Sequence, residues 1–399
     1  MTDTTQSRAA NRDITAFILL WLAGTGLRIT LLAVPPLIPL IHTELRLTET
    51  EIGTLGTLPS LLLAAVAIPG SALIARFGAR AALIIGLLLV GLGSAARGAA
   101  IDVVTLYLTT ILTAAGVAIM QPAMPPLVRA WLPLRVPVAT AVYTNGLLVA
   151  ETLAVGLTLP MVLPLSGGSW RLSFVYWAVP PIATALIVAF FAPRDASRAA
   201  AAAPLRWWPN WRDKQLWRLA LCLGCVNTCY FATNTFLPDY LTAIGQSEMI
   251  SAALTSLNIC QLPASLAMLA FAPRLVRRPA AYVAVGLFSL VSVIGMAAMS
   301  GWAVVAWAGL LGFAGAAGLI LILALPPLLS PPEDVHRLAS AMFTISYPCA
   351  VLMSVLSGYL WDRTDIAWIA FVPIGFAAAA LAVLPLGIDL GHRSPAARR

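Results

Sequence analysis

The sequence predicts an all-α membrane protein: twelve transmembrane helices in two pseudo-symmetric six-helix bundles, with both termini cytoplasmic. Three observations carry this reading. Apolar residues make up 60% of the 399 positions and charged residues only 10%, which leaves no polar stretch long enough for a soluble domain. Hydrophobic runs of about 20 residues, enough to cross ~30 Å of hydrocarbon as helices, recur along the whole chain. The second half also echoes the first at an offset close to 200 residues.

The runs fall near 14–41, 51–75, 80–100, 103–131, 136–163 and 171–192, then near 215–243, 249–272, 280–300, 302–329, 338–361 and 366–388. Polar residues lead directly into the first run, which is too long for a signal-peptide core, so no cleavable signal is expected. The stretch 193–213 (APRDASRAAAAAPLRWWPNWR), where charge and proline interrupt the apolar pattern, reads as a cytoplasmic linker. It divides an N-terminal bundle, 1–192, from a C-terminal bundle, 214–399.

The repeat is visible in ordered matches. Pro36 answers to Pro238, Pro59 to Pro263, the basic turn Arg76–Arg80 to Arg274–Arg278, and Pro125 to Pro326; ATAVYT from Ala139 lies 200 residues before ASAMFT from Ala339. Two parallel halves related by an axis along the membrane normal are the major facilitator architecture, with the substrate site near the midplane.

A net charge of +8 raises the question of nucleic acid, but the distribution excludes it. With the N-terminus in the cytoplasm, all but five of the 24 basic residues lie on that side, as the positive-inside rule requires. Arg46, Arg97, Arg171 and Arg363 fall on the other side, and Arg28 within the membrane. The localisation read from this is a multi-pass protein of the bacterial cytoplasmic (inner) membrane. All five cysteines lie inside predicted spans, so no disulfide framework is expected. Cys222, Cys225 and Cys229 share a helix face turned away from Asn227, Tyr230 and Asn234, which fits small thiols facing neighbouring helices better than a soft-metal path. No metal and no cofactor is expected.

Arg28 is the residue around which a site is predicted. It lies roughly 14 residues, ~21 Å, into the first run, too deep to snorkel. A charge at the centre of the bilayer costs at least ~2.5 kcal/mol and normally faces a bundle interior or a watery cavity. Its fork of donors suits planar anions; the plainer reading is an arginine neutralised by an internal carboxylate. Through the repeat Arg28 corresponds to Tyr230. Asn227, Tyr230 and Asn234 form one stripe on the seventh helix, Asn258, Gln261 and Ser265 another on the eighth, and Thr344, Tyr347 and Ser354 a third on the eleventh. Each stripe could instead tie helices together by hydrogen bonds of about 0.6 to 2 kcal/mol. Glu151, the one acid deep inside a span, is at the depth of Arg28 and reads as its counter-ion, a proton carrier, or both. Prolines at 122, 125, 126, 326, 327, 331 and 332 cluster at the cytoplasmic ends of the fourth and tenth helices, where broken backbone is tolerated and can bend as the two halves rock; plain helix termination explains Pro331 and Pro332 equally well.

The loop after the second helix resembles the facilitator superfamily signature through Arg76, Gly78 and Arg80, with Ser71 and Ala75 where Gly and Asp are usual. GLRITLLAVPPLIPL resembles the first helix of the cyanate and 2-nitroimidazole porter family. GVAIMQPAMPPLVR, with Gln121, Met124 and Pro125, and VNTCYFATNTFLPDYLTAIG, with Asn227 and Tyr230, resemble its fourth and seventh, and WRLSFVYWAVPP its sixth. Gly26 and Ile29 replace an Asn and a Pro of that family. The resemblance implies secondary transport of a small solute, driven by an ion gradient or by exchange.

The expected function is therefore alternating-access transport of a small anionic solute, coupled to protons or to exchange, without chemical change. The substrate-binding set is Arg28, Gln121, Asn227, Tyr230, Asn258, Gln261 and Tyr347, with Glu151 coupling protons. The lipid bilayer is the remaining partner, and a monomer is expected. A multidrug or nitroheterocycle–proton antiporter is the alternative: Gly146, Gly156 and Pro160 are present in the fifth helix without the adjacent Gly-Pro pair of that class. A nitrate porter would carry arginines in the second and eighth helices, which have none. A polytopic enzyme would gather catalytic groups at one face, whereas His42, His336 and His392 are scattered.

Overall fold

The computed structural model describes residues 2–193 and 207–390. Most of the predicted linker, and the arginines at 393, 398 and 399, lie outside the described residues. What is described is helical throughout, with no strand among the described residues. The chain forms two compact units, Met1–Pro209 with Pro331–Ser340, and Asn210–Ser330 with Ala341–Arg399.

In the first unit the initial predicted run is not one helix. It is Thr2–Gly26, a short turn of helix Ile29–Leu32, a 3-10 turn Pro35–Leu37, and Ile38–Leu45. At the first break the N–H groups of Leu27 and Arg28 reach back three residues to Gly24 and Thr25, at 3.1 and 3.3 Å. At the second, Pro35 and Pro36 supply no N–H, and the Val34 N–H turns to Leu31 instead. The carbonyl of Thr30 is thereby left without its helical donor.

The second helix, Glu49–Phe77, is opened by a capping box of Thr48 and Glu51, and the fourth, Val103–Trp131, by one of Asp102 and Thr105. The third is Ala79–Arg97 and the sixth Trp170–Phe191. The fifth runs Val136–Leu157, loosens into a π turn at Thr158–Val162, and ends at Leu163–Leu165. Pro160 lies inside that turn and cannot donate, which accounts for the slipped register. The fourth helix, contrary to expectation, runs unbroken through Pro122, Pro125 and Pro126.

Small residues let these helices approach closely. A Cβ on Gly24 would lie 2.0 Å from the Tyr143 carbonyl oxygen, and one on Gly146 2.3 Å from that of Trp21. The first and fifth helices therefore touch backbone to backbone. Gly86 and Gly116 do the same for the third and fourth.

In the second unit the seventh helix is Lys214–Ala243 and the ninth Pro279–Ala298. The eighth is Ile250–Ile259 and Gln261–Leu275, preceded by the turn Ser247–Met249. It breaks at Cys260, where Pro263 denies the Ile259 carbonyl a donor. The tenth helix, Trp302–Leu323, breaks at Ala324 before Leu325–Leu329, as its prolines predict. The eleventh, Val335–Thr364, stays continuous through Pro348 and crosses from one unit to the other. The twelfth segment is Ala367–Ala370, Phe371–Val383 and Leu384–Gly387. Cys229, Leu237, Tyr240, Leu257, Met296, Leu311 and Ile374 build a buried core, with Cys225 packed against it. Cys222 is buried as well, so the three thiols sit in packing surfaces. No metal-binding cluster occurs among the described residues.

Eleven helical stretches among the described residues are long and apolar enough to cross a membrane, where the sequence counts twelve. The difference is the seventh helix. It has the length, 30 residues, but Asn227, Thr228, Thr233, Asn234, Thr235 and Asp239 lower its hydropathy.

The backbone contact at Gly24 gives a direct test. Gly24→Ala drives a methyl into the Tyr143 carbonyl and is expected to cost about 1–3 kcal/mol. Gly156→Ala meets nothing within 4 Å and is expected to be neutral or stabilising by up to about 1 kcal/mol. Thermal unfolding of the purified variants in detergent measures both.

Candidate functional site

In the first unit Arg28 occupies the break in the first helix, at φ −131° and ψ −28°, and is half-buried. The elements around it are fixed by packing. Gly26, two residues earlier, faces Leu87 and Met120, and any Cβ there would lie 2.6 Å from Leu87 Cδ2. Met120 precedes Gln121, itself buried. Beyond the break, Ile29 and Ala33 pack with Ala150 and Ala154 of the fifth helix, the pair that brackets the buried Glu151. The structure thus brings the segments carrying Arg28, Gln121 and Glu151 to one level of the bundle. Nearer the start of both helices, Trp21 Nε1 donates to Asn145 Oδ1 at 3.0 Å.

The sequence reading missed Arg97. Counted among the basic residues of the far side, it is in fact fully enclosed, with 0% of its surface exposed. Its Nε donates to Thr110 Oγ1 at 3.2 Å and one terminal nitrogen to the Thr30 carbonyl at 2.9 Å. The guanidinium carbon lies 5.6 Å from the centre of the Phe174 ring, within cation–π range. The physical reason is directional. Arg97 ends its helix, and helical side chains lean back toward the helix start, so this one points into the bundle rather than out of it. The apolar run extending to Ala100 was the available signal.

A separate ion pair lies at one end of this unit. Glu44 is ion-paired with Arg171 and accepts from Trp170 Nε1 at 2.6 Å, while Arg171 also donates to the Ala100 carbonyl. At the opposite end the loop-signature residue Arg80 donates to the Ala189 carbonyl at 2.6 Å. Ser71, where the signature has Gly, donates to the Trp207 carbonyl at 2.8 Å, and Arg337 to that of Trp208 at 2.8 Å.

In the second unit four residues of the predicted stripes, Tyr230, Asn234, Asn258 and Gln261, form one polar network. Tyr230 Oη donates to Asn258 Oδ1 at 2.7 Å, and Gln261 Nε2 reaches the same oxygen at 3.4 Å. Asn258 Nδ2 donates to Asn234 Oδ1 at 3.3 Å and to the Leu254 carbonyl at 2.8 Å. These residues flank the Cys260 break. Asn227 instead turns to the eleventh helix and donates to Ser346 Oγ at 3.2 Å. Tyr347 is buried beside Phe343, in a stacked pair 6.4 Å between centres, and Phe231, also at 6.4 Å. Ser265 is buried and bonds its own helix at Leu262; Thr344 and Ser354 are half-buried.

Apolar spans that break beside polar side chains inside their own bundles are the construction of membrane solute carriers. A family model described as Major Facilitator Superfamily matches residues 16–347, and the chain belongs to that superfamily of transporters. It is 26% identical over 358 residues to the cyanate transport protein CynX of Escherichia coli (strain K12), covering 86% of this chain and 91% of that protein. It is 25% identical over 396 residues to the 2-nitroimidazole transporter of the same organism, covering 98% and 99%. An uncharacterized transporter of Bacillus subtilis (strain 168), YycB, is 24% identical over 362 residues, covering 90% and 89%. Among solved structures, FucP in the outward conformation superposes with a TM-score of 0.75 at 15% identity, covering 94% of this chain and 99% of that one. The human organic anion transporter MFSD10 does so at 0.75 and 14%, covering 94% and 99%. These likenesses establish the fold. The chain is an integral multi-pass membrane protein, and its bacterial relatives place it in the inner membrane.

Tyr230 links the seventh and eighth helices through one neutral hydrogen bond. Tyr230→Phe removes it and is expected to lower stability by about 0.5–1.5 kcal/mol, read as an earlier thermal transition in detergent.

Proposed function

We propose that this transporter carries a small anionic solute by alternating access, coupled to protons or to exchange and without chemical change to the solute. The observation that carries the reading is Arg28, a guanidinium set where the first helix breaks inside the bundle. In the N-terminal half, 1–192, Arg28 and Gln121 take the charged end of the solute and Glu151 serves coupling. In the C-terminal half, 214–399, Asn227, Tyr230, Asn258, Gln261 and Tyr347 supply neutral donors and ring faces. The stretch 193–213 serves as the cytoplasmic link, and the arginine distribution supports both termini on that side. The name of CynX supports an anion. The route to coupling is competition: an anion arriving at Arg28 displaces Glu151 from the guanidinium, and a proton taken up by Glu151 relieves the displaced charge.

A second reading is a nitroheterocycle–proton antiporter. The amide network around Asn258 and the rings of Phe231, Phe343 and Tyr347 favour it, because a planar neutral heterocycle needs stacking faces and uncharged donors rather than a guanidinium. The 2-nitroimidazole transporter among the relatives points the same way.

Arg28 separates the two. Arg28→Ala is expected to abolish anion uptake at wild-type expression, and Arg28→Lys to lose most of it, since an ammonium cannot copy a bidentate fork. Normal uptake by the alanine variant contradicts the assignment. Under the second reading, 2-nitroimidazole flux survives both changes.

Glu151→Gln tests coupling. Counterflow in liposomes is expected to persist while accumulation driven by a proton gradient disappears. Retained accumulation removes Glu151 from the coupling path.

A further inference from the structure

The enclosed Arg97 raises a question that the Arg28 site does not answer. A guanidinium carries five N–H donors. The Nε and one terminal nitrogen of Arg97 are satisfied by Thr110 and the Thr30 carbonyl, while the other terminal nitrogen is buried without a hydrogen-bond partner among the described residues. No carboxylate among the described residues pairs with it: the ion pairs Arg135 with Asp13, Arg171 with Glu44, and Arg337 with Asp334 leave it out. It also lies over the face of Phe174. A buried charge without a counter-charge is among the costliest features a protein interior can hold, and two neutral acceptors and one ring do not cancel it.

Its place gives that charge a use. Thr30 follows Arg28 by two residues, so the carbonyl held by Arg97 lies within about 7 Å of chain from the Arg28 backbone. Thr110 stands seven residues, about 10 Å, inside the fourth helix. The positive charge is therefore sunk into the bundle beside the broken turn, where low polarity lets it act over distance. Mechanically, the same guanidinium joins four elements at that turn: the first helix through Thr30, the third through Arg97 itself, the fourth through Thr110 and the sixth through Phe174.

We propose that Arg97 is a positioning and selectivity residue for the Arg28 site: it holds the broken turn through the Thr30 carbonyl, and its uncancelled charge biases that site toward anions. This rests on the reading of Arg28 as the solute's anchor. Arg97 does not touch the solute; it acts through the turn and through its field. A role in packing alone would be filled by any side chain that donates to Thr30 and fills the volume.

Two substitutions divide position from charge. Arg97→Gln keeps an N–H donor and removes the charge; Arg97→Lys keeps the charge and loses the fork. Counterflow in liposomes is measured for a panel of monovalent anions (cyanate, nitrite, formate and bicarbonate) and for neutral 2-nitroimidazole, alongside the thermal transition of each purified variant. The expected result is a rise of tenfold or more in anion KM for Arg97→Gln, equivalent to about 1.4 kcal/mol, with the maximal rate changed less than twofold. Arg97→Lys is expected to stay within about threefold of wild type in anion KM, and 2-nitroimidazole KM to move little in either variant. An unchanged anion KM in Arg97→Gln, while Arg28→Ala abolishes anion counterflow, overturns the Arg97 role and leaves the Arg28 site standing. Equal losses for anions and 2-nitroimidazole, in step with a lowered thermal transition, also overturn it, because packing alone then explains the residue. Anion counterflow that survives Arg28→Ala, or is absent from the wild type for the whole panel, overturns the underlying reading as well.

Discussion

A helix that breaks inside a membrane must find hydrogen-bond partners for the carbonyls it releases, because no bulk water is there to take them. In this protein one such carbonyl is that of Thr30. Pro35 and Pro36 remove donors from the first helix, Val34 turns to Leu31, and the Thr30 carbonyl is met by Arg97. Much else follows from this bond. The third helix must end where its last side chain can lean back to the turn. The fourth must present a hydroxyl, Thr110, to the same guanidinium, and the sixth a ring, Phe174. The broken segment is held from three sides, and Arg28 sits on it.

The glycines complete this arrangement. Gly86 against Gly116, and Gly93 against the Thr113 hydroxyl, bring the third and fourth helices into backbone contact. One turn further along both, Arg97 and Thr110 come within hydrogen-bond range. Gly24 and Gly146 set the first helix against the fifth, which carries Ala150 and Ala154 to Ile29 and Ala33, with Glu151 between them in sequence. The second unit answers a break with side-chain amides rather than a charge. Beside the Cys260 break, Asn258 donates to Leu254 and Asn234 and accepts from Tyr230 and Gln261. One half thus answers its break with a guanidinium and the other with a neutral network.

Much of this was legible in the sequence. Composition and run length identify a polytopic helical protein, and the residue patterns around Arg28, Gln121 and Tyr230 resemble transporters of the superfamily to which it belongs. The seventh helix, counted from the sequence as a span, carries Asn227, Asn234 and Asp239 and falls short of the others in hydropathy. Three features were out of reach. Hydropathy reads the run 14–41 as one segment, since the break at Leu27 and Arg28 depends on backbone bonds rather than on side-chain character. Prolines were poor guides to where backbone breaks. Three of them pass through the fourth helix without interrupting it, while Pro160 loosens the fifth and Pro263 breaks the eighth. Arg97 was misplaced because charge near the end of a run normally means exposure, and only the direction of its side chain shows otherwise.

The central claim is that the broken turn at Arg28 is where an anionic solute binds, and ligand-induced stabilisation tests it without assuming a direction or a coupling ion. A ligand that binds only the folded state adds about 2.7 kcal/mol at a hundredfold excess over its Kd. Thermal unfolding of the purified wild type and of Arg28→Ala is to be followed across small monovalent anions and neutral nitroheterocycles. The account predicts at least one anion that raises the transition of the wild type and leaves that of Arg28→Ala unmoved. An anion that stabilises both proteins equally would contradict it.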